Sequence, residues 1–439
     1  MPARSRCGGS GGSARNAESF FFPLDQKLCL GTEGYSPRLV EKGVRQAAKA
    51  ASFKEASEDL RALAEVSISP THLQRLSRRV GREWTQARDL EVQAFREQRL
   101  LCAYAAGPQA AAVMLDGGRV QTRAASAGRG VEQPRWRENK VACCLSLQSA
   151  QHAADPQPEP PAKFLEPTRA ARLAAEVKTR ARPALGRAAK AVAAKTVPAR
   201  QRPNKKRRWP RIRKLVRTVV ATMADSETFG WQMAAEVQRR GLDRARRKAC
   251  VCDGQHYNWT LFETHLRPWG FVGVLDFVHL LAYLHDAAHA CQKGDRRAGW
   301  KQYVQWLRWA WSGRVQPLLA SLRQAATRLG KPTQDATDDD PRQVLADTLG
   351  YVQNNRTRMN YPTYRCQGLP TSSAPVESTI KQINRRLKGT EKFWLDGGAE
   401  AMLQLRAAYL SEDDRANVYW SRPRPHRKAV GAGRLRLAA

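Results

Sequence analysis

Residues 370–394 read PTSSAPVESTIKQINRRLKGTEKFW and place one carboxylate at the head of a basic helix. Glu377 follows Pro375, a residue suited to the first helical turn. Lys381, Arg385, Arg386, Lys388 and Lys392 come after it, on the helix or just beyond. Such a set makes a poor core and a good place to hold a divalent cation beside a phosphate backbone. Two further carboxylates have a suitable setting. The apolar run 111–115 ends at Asp116, followed by Gly117 and Gly118, and the run 249–252 ends at Asp253, followed by Gly254. Each reads as a buried strand that delivers an Asp at its end, with Gly to let the backbone turn, although a short apolar run also fits a helix. Mg²⁺ takes hard oxygen ligands of this kind and leaves positions for water and substrate phosphate. Two such ions about 4 Å apart activate the attacking oxygen and stabilise the leaving one in phosphodiester chemistry. Two Asp and one Glu are the minimum set for that arrangement.

Around these carboxylates lie blocks that resemble a known family. They are Asn354-Asn355-Arg356 through Met359, Tyr361-Pro362 with Tyr364, Gln367-Gly368-Leu369-Pro370, Val376-Glu377-Ser378, and Arg386-Leu387-Lys388-Gly389-Thr390 with Trp394. Weaker matches are Leu115-Asp116-Gly117-Gly118, Trp136-Arg137-Glu138, Asp253-Gly254 with Trp259, Leu275-Asp276-Phe277 with His279, Pro23-Leu24-Asp25 and Tyr35-Ser36-Pro37. The chain resembles a DDE-type insertion-sequence transposase of the Kra group over roughly residues 20–414. The block around Glu377 is specific, whereas lone Asp-Gly pairs mean little without it. The resemblance implies an α/β RNase H-like catalytic domain with a helical insertion. An α-helical, helix-turn-helix-like DNA-binding region precedes it. It assigns Asp116, Asp253 and Glu377 as catalytic and metal-binding residues with two Mg²⁺ (or Mn²⁺) ions, and places Asp276 and His279 beside the site. Asp276, at the end of the apolar run 271–275, otherwise competes with Asp253 for the second metal position. An Asp–His hydrogen bond in the core is the other reading of Asp276 and His279. The chain departs from the family pattern at Gln255-His256-Tyr257-Asn258, where small and apolar residues are expected, and between Gln148 and Arg217, where it carries a long basic, Ala- and Pro-rich segment.

Charge points to the same partner. The 439 residues carry 75 Lys and Arg against 40 Asp and Glu, a formal net charge of +35, which argues about partners rather than fold. Membrane binding would need an amphipathic anchor or an apolar span of about 20 residues, and the sequence offers neither. The positive charge clusters between Lys163 and Arg217, with Lys205, Lys206, Arg207 and Arg208 at its centre. That segment reads either as an arm on a DNA backbone or as a solvated linker, with 169–181 able to form helix. Nine Cys lack the paired spacing of a zinc site and read as reduced, mostly buried thiols; a metal role for Cys250, Cys252 and His256 is a weaker alternative. The triplet Phe20-Phe21-Phe22 is too short for a signal-peptide core, so a bacterial cytoplasmic, nucleoid-associated protein is expected.

Residues 38–99 read as helices. Phe53, Ala56, Leu60, Leu63 and Ala64 recur at helical spacing, and Ser69-Pro70 opens a second helix with Ser69 as its cap. That helix is expected to turn His72, Gln74, Arg75, Arg78, Arg79 and Arg82 outward and Leu73, Leu76 and Val80 inward. It reads as a helix-turn-helix in a major groove, or as an ordinary helical hairpin. Asn139 to Leu147 reads as a strand beside that of Asp116, with Glu138 as an outer metal partner or a surface ion pair. In the helical stretch 280–329, Trp300, Tyr303, Trp306, Trp309 and Trp311 suit either core packing or stacking on an extruded base. Asp338-Asp339-Asp340 before Pro341 reads as a solvated loop and helix cap.

These readings divide the chain into a flexible N-terminus (1–18), a helical DNA-binding region (19–107), a first part of the core (108–279) with a basic insert (150–217), a helical insertion (280–370), a last part of the core (371–415) and a basic tail (416–439). The expected function is Mg-dependent cleavage at transposon ends and strand transfer into target DNA. The partners are double-stranded DNA, as terminal inverted repeats and target, and further copies of the chain in a homodimer or higher oligomer. A catalytically inactive DNA-binding derivative and an RNase H-like metal nuclease without strand transfer are the alternatives. The DNA contacts are expected from Arg75, Arg78, Arg79, Lys205, Lys206, Arg207, Arg208, Lys381, Arg385 and Lys388.

Overall fold

Five strands form one mixed sheet in the order β3-β2-β1-β4-β5 in the computed structural model, which describes residues 35–123, 135–181, 211–292, 295–389 and 391–422. The strands are β1 (Ala110–Thr122), β2 (Arg135–Gln148), β3 (Arg213–Thr222), β4 (Arg247–Cys252) and β5 (Val272–Leu275). The chain divides into two compact units, one of Met1–Ala87, Val120–Arg137 and Gln382–Ala439, the other of Arg88–Arg119 and Glu138–Lys381. Among the described residues, no helix is long and apolar enough to cross a membrane.

The larger unit is an α/β assembly. β1, β4 and β5 are parallel, and Leu115, Cys252 and Leu275 lie in one register across them. Residues 110–115 and 249–252 are buried on both faces, as parallel strands covered by helices require. β2 pairs antiparallel with β3, whose strand character the sequence reading missed because its first half, Arg213 to Leu215, is exposed and basic. β5 is an edge strand, and the hydroxyls of Tyr361 and Tyr364 donate to its Leu275 and Gly273 carbonyls at 3.1 and 3.3 Å. Two members of the resemblance block thereby close an edge that would otherwise leave buried acceptors unpaired.

The basic segment between Gln148 and Arg217 is not simply a linker. Pro167–Ala181 is a helix, and Ala170 and Ala174 are buried in it. Phe164 is buried against Phe277, with its carbonyl accepting from the Tyr303 hydroxyl. Lys205, Lys206, Arg207 and Arg208 lie outside the described residues. In the Arg296–Trp311 helix Tyr303, Trp306 and Trp311 are buried, which is core packing, while Trp300 and Trp309 are half-buried. Asp340 caps the Pro341–Asn355 helix by accepting from Arg342 N at 2.8 Å, as expected of that acidic triplet.

The smaller unit holds the helices Pro37–Lys49 and Phe53–Ala64 and the start of Pro70–Arg96. Ala47, Ala50, Ala56, Leu60, Ile68 and Leu73 form their core. Ser69 caps the third helix through His72 N at 3.2 Å. The expected facing holds for Leu73, Leu76 and Val80 inside and for Gln74, Arg75, Arg78 and Arg82 outside. It fails for His72 and Arg79, which are half-buried, His72 packing edge-on against Tyr35. It fails also for Leu63, which is 85% exposed because the helix ends one residue later at Ala64, before a left-handed Glu65.

Arg386, grouped by sequence with the exposed basic residues after Glu377, is a buried strut. Its Nε donates to the Ala47 carbonyl at 2.8 Å and its guanidinium lies 4.4 Å from the Phe53 ring centre. Arg406 donates to the next carbonyl, Ala48, at 3.1 Å. Two cations thus satisfy the orphan carbonyls at the end of the Pro37–Lys49 helix, where its dipole is negative. Burial lowers the Arg386 pKa to about 10. Arg386→Leu strands the Ala47 carbonyl and should destabilise the protein by about 2 kcal/mol in urea unfolding; an unchanged midpoint would contradict this role.

Candidate functional site

Asp253 and Asp276 follow the ends of β4 and β5, whereas Asp116 lies inside β1, which runs on through Gly117 and Gly118 to Thr122, so the strand end expected at Asp116 is not found. Because Leu115, Cys252 and Leu275 are in register, their successors Asp116, Asp253 and Asp276 form a row across β1, β4 and β5. Neighbouring strands lie about 4.8 Å apart, so adjacent carboxylates in the row cannot avoid one another. The Ala374–Leu387 helix adds Glu377 from its first turn. Val376, Thr379 and Ile380 on that helix are buried, and the Thr379 hydroxyl meets Cys143 of β2 at 3.3 Å and Arg217 of β3 at 3.2 Å. This docking leaves Glu377 half-buried and facing His279, whose Nδ1 lies 3.9 Å from Glu377 Oε1.

Asp276 has no exposed surface, and its oxygens are taken. Oδ1 accepts from Val278 N at 2.6 Å and His279 N at 3.3 Å, which caps the Phe277–Ala290 helix. Oδ2 accepts from Ser373 N at 2.8 Å and from the Ser373 hydroxyl, and lies 3.4 Å from His279 Nδ1. The Ser373 carbonyl in turn accepts from Val376 N and Glu377 N, so the Asp276–Ser373 link fixes the start of the helix that carries Glu377. Asp276, His279 and Glu377 present ligand atoms within 4.8 Å of one another. With both oxygens of Asp276 occupied, that trio is an orienting device, and Asp116 and Asp253 stand beside it, the bonds to Asp253 from Gln255 N and Asn258 both falling on its Oδ1.

The charges follow from this geometry. Burial opposes the Asp276 charge, but the bond and charge of His279 and the Ser373 bonds more than offset it and hold the carboxyl below its usual range. Burial likewise pushes His279 down, yet Asp276, Asp253 and Glu377 raise it to about 9. Burial and then Asp253 raise Asp116 to about 7, against the Gly117 N–H and His279. Burial also raises Asp253. Asp116 and Asp253 therefore crowd more negative charge than a cation-free site ionises easily, which is the condition a bound divalent cation relieves. The residues present fit Mg²⁺ or Mn²⁺: hard oxygens on rigid elements, with half-buried positions open to substrate.

Several supports were not legible in sequence. Asn258 is buried and donates from Nδ2 to Asp253 Oδ1 at 3.0 Å, where Gln255 N also donates at 3.2 Å. The residues that depart from the family pattern thus orient the carboxylate and leave its Oδ2 for a cation. Tyr351, stacked on Tyr283 at 4.0 Å, donates to the Asp253 carbonyl at 2.7 Å. Gly254 has φ +95°, and a Cβ there would lie 2.6 Å from the Tyr351 ring. A Cβ at Gly117 would lie 3.0 Å from Glu138 Oε1 and 3.3 Å from the Tyr257 hydroxyl, so Glu138 and Tyr257 border Asp116. Glu138 also pairs with Lys140 at 3.7 Å. Cys250 and Cys252 are buried within β4 while His256 is exposed, and they form no ligand group. Lys381, Arg385 and Lys388 are exposed.

A carboxyl raised in the folded state costs stability as pH climbs from its unfolded value near 4 to its folded value. In metal-free buffer Asp116→Asn should therefore raise the melting temperature at pH 7.5 and have little effect at pH 4. Asp276→Asn should lower it at both, by about 2 kcal/mol or more, since it weakens a buried charge network. Thermal melts of both variants at the two pH values test this; a fall for Asp116→Asn at pH 7.5 would refute the crowding account.

No protein-family model matches the chain and no curated protein matches it, so the function of this site is argued from its geometry and chemistry alone.

Proposed function

We propose that the protein is a DNA transposase with an RNase H-like catalytic domain. It cleaves phosphodiester bonds at transposon ends and joins those ends to target DNA. The observation that carries this reading is the in-register pair Asp116 and Asp253 beside Glu377, three carboxylates carried by separate elements and near enough for Asp253 and Glu377 to raise the Asp116 pKa. Asp116, Asp253 and Glu377 would hold divalent cations, which would supply activation of an attacking water or 3′-hydroxyl and stabilisation of the leaving 3′-oxygen. Asn258 and the Gln255 N–H fix the direction in which Asp253 points. The Asp276–His279 pair fixes Glu377 and balances negative charge among the carboxylates. No covalent protein–DNA link is needed, so no Ser or Tyr nucleophile is assigned.

DNA is the partner that the charge favours. Arg75, Arg78 and Arg82 form an exposed row at helical spacing on the Pro70–Arg96 helix, suited to phosphates and base edges of terminal repeats. Lys381, Arg385 and Lys388 suit the phosphates of the cleaved strand. Two ends cut together call for at least two copies of the chain, acting at the bacterial nucleoid.

Incubation with Mg²⁺ and a labelled duplex carrying the element's own end should give nicked and joined products, both absent with Glu377→Gln. Cleavage without joining would leave a metal nuclease; salt-sensitive binding without cleavage in either protein would leave a DNA-binding derivative. Mg²⁺ or Mn²⁺ binding measured by calorimetry at pH 7 should release protons and tighten between pH 6 and 8. The sign follows from Asp116, which is part-protonated near pH 7 without the ion and must ionise to bind it. Proton-neutral, pH-independent binding would exclude Asp116 as a ligand.

A further inference from the structure

At the other end of the sheet lies a cleft of about 150 Å³ that the carboxylate chemistry does not use. Ser149, His152, Arg211, Trp311, Arg365 and Thr371 are among its lining residues. Ser149 N meets the Gln109 side chain at 3.4 Å, just before β1. Asp116 lies at the far end of that buried run, six residues beyond Ala110, or about 20 Å away at 3.3 Å per residue. Arg365, Gly368 and Leu369 also line it, and the proposed cleavage chemistry leaves Arg365 without a role.

The floor of the cleft is cationic beyond what the protein neutralises. Arg365 is only 8% exposed. Its Nε and Nη2 clamp Asp155, Nη2 also donates to the Trp311 carbonyl at 3.0 Å, and the guanidinium lies 4.1 Å from the Trp311 ring centre. Its Nη1 is buried with no partner. Behind Ser149, the half-buried Arg247 bonds only neutral oxygens: Ser149 Oγ at 3.1 Å, Ser149 O at 2.7 Å and the Gln367 carbonyl. Arg211 stands exposed at the rim. Among the described residues, Arg365 is the one of these three guanidinium groups that pairs with a carboxylate, Asp155. Gly368, at φ +64°, lets the backbone close to this floor, since a Cβ there would lie 2.3 Å from the Ala150 carbonyl and 2.9 Å from Arg247 Nη1. A buried guanidinium nitrogen without a partner and a second cation without a counter-charge are costly unless an anion completes them. Tetrahedral oxyanions suit such forked donors with flanking hydroxyls.

We propose that this cleft binds a phosphate group. The phosphate comes either from a nucleic-acid backbone running past the far end of the sheet or from a free phosphate ester. The site stands whether or not the carboxylates cut DNA. Arg211→Gln and Arg247→Gln test it without stranding Asp155, and Arg308→Gln, an exposed change elsewhere, serves as control. Calorimetry with inorganic phosphate in metal-free buffer of fixed ionic strength should show one site in the wild type and the control, weakened roughly tenfold or more in both cleft variants. If the natural phosphate belongs to nucleic acid, the cleft variants also lower the salt slope of binding to a short duplex by about 0.9, and inorganic phosphate competes with the duplex. If it belongs to a free ester, duplex binding stays as in the control. Absence of a phosphate site in the wild type, or cleft variants indistinguishable from Arg308→Gln, would overturn the proposal. Asp253→Asn should keep the phosphate site while losing any cleavage, so failure of this inference and failure of the transposase reading are seen separately.

Discussion

A negative charge with no access to water organises the carboxylate end of the larger unit. The Asp276 carboxylate ends β5, caps the Phe277–Ala290 helix, anchors Ser373 and pairs with His279. Each partner is needed, because a buried carboxylate left short of donors would be protonated or would open the structure. Satisfying it brings together two chain segments 97 residues apart. One of them is the start of the helix that carries Glu377. The position of Glu377 is thus a consequence of completing the hydrogen bonds of Asp276.

His279 links this structural charge to the open ones. Its Nδ1 lies between Asp276 and Glu377, and its charge also reaches Asp116 and Asp253. The proposed divalent cation would add a second counter-charge to the imidazolium already fixed in the protein. Asp116 and Asp253 keep raised pKa values because the imidazolium compensates them only in part. The same logic recurs with opposite sign at the far end of the sheet, where Arg365 and Arg247 carry positive charge that Asp155 only partly offsets. At both ends, among the described residues, the fold leaves polar groups incompletely matched.

The strands that carry the candidate carboxylates were legible. The runs before Asp116 and Asp253 could be read because a buried strand is a continuous apolar run, but Gly marks the strand end only at Asp253, since β1 continues through Gly117 and Gly118. Glu377 stood out because a carboxylate heading a basic helix has no use in a core. The cap at Ser69, the cap at Asp340 and the core aromatics Tyr303, Trp306 and Trp311 follow from local chemistry and spacing in the same way. What failed was facing at element ends and in basic segments. Leu63 fits a helical stripe but sits at the last turn, and β3 was hidden by the exposed basic residues with which it begins. Arg386 has the composition of a phosphate contact and the position of a buried strut.

The sequence by itself determined the residue types that do chemistry and the strands and helices that carry them, since apolar periodicity, Gly, Pro and caps act over a few neighbouring residues. Only the tertiary structure decided which carboxylates are free. Asp253 and Asp276 have equivalent local sequence settings, each an Asp after an apolar run. Asp276 is filled by Ser373, 97 residues away, whereas Asp253 keeps an oxygen open because Asn258 and the Gln255 N–H hold only the other. The reason is that hydrogen-bond satisfaction of a buried charge is set by whichever distant segments pack against it, and no local pattern records that.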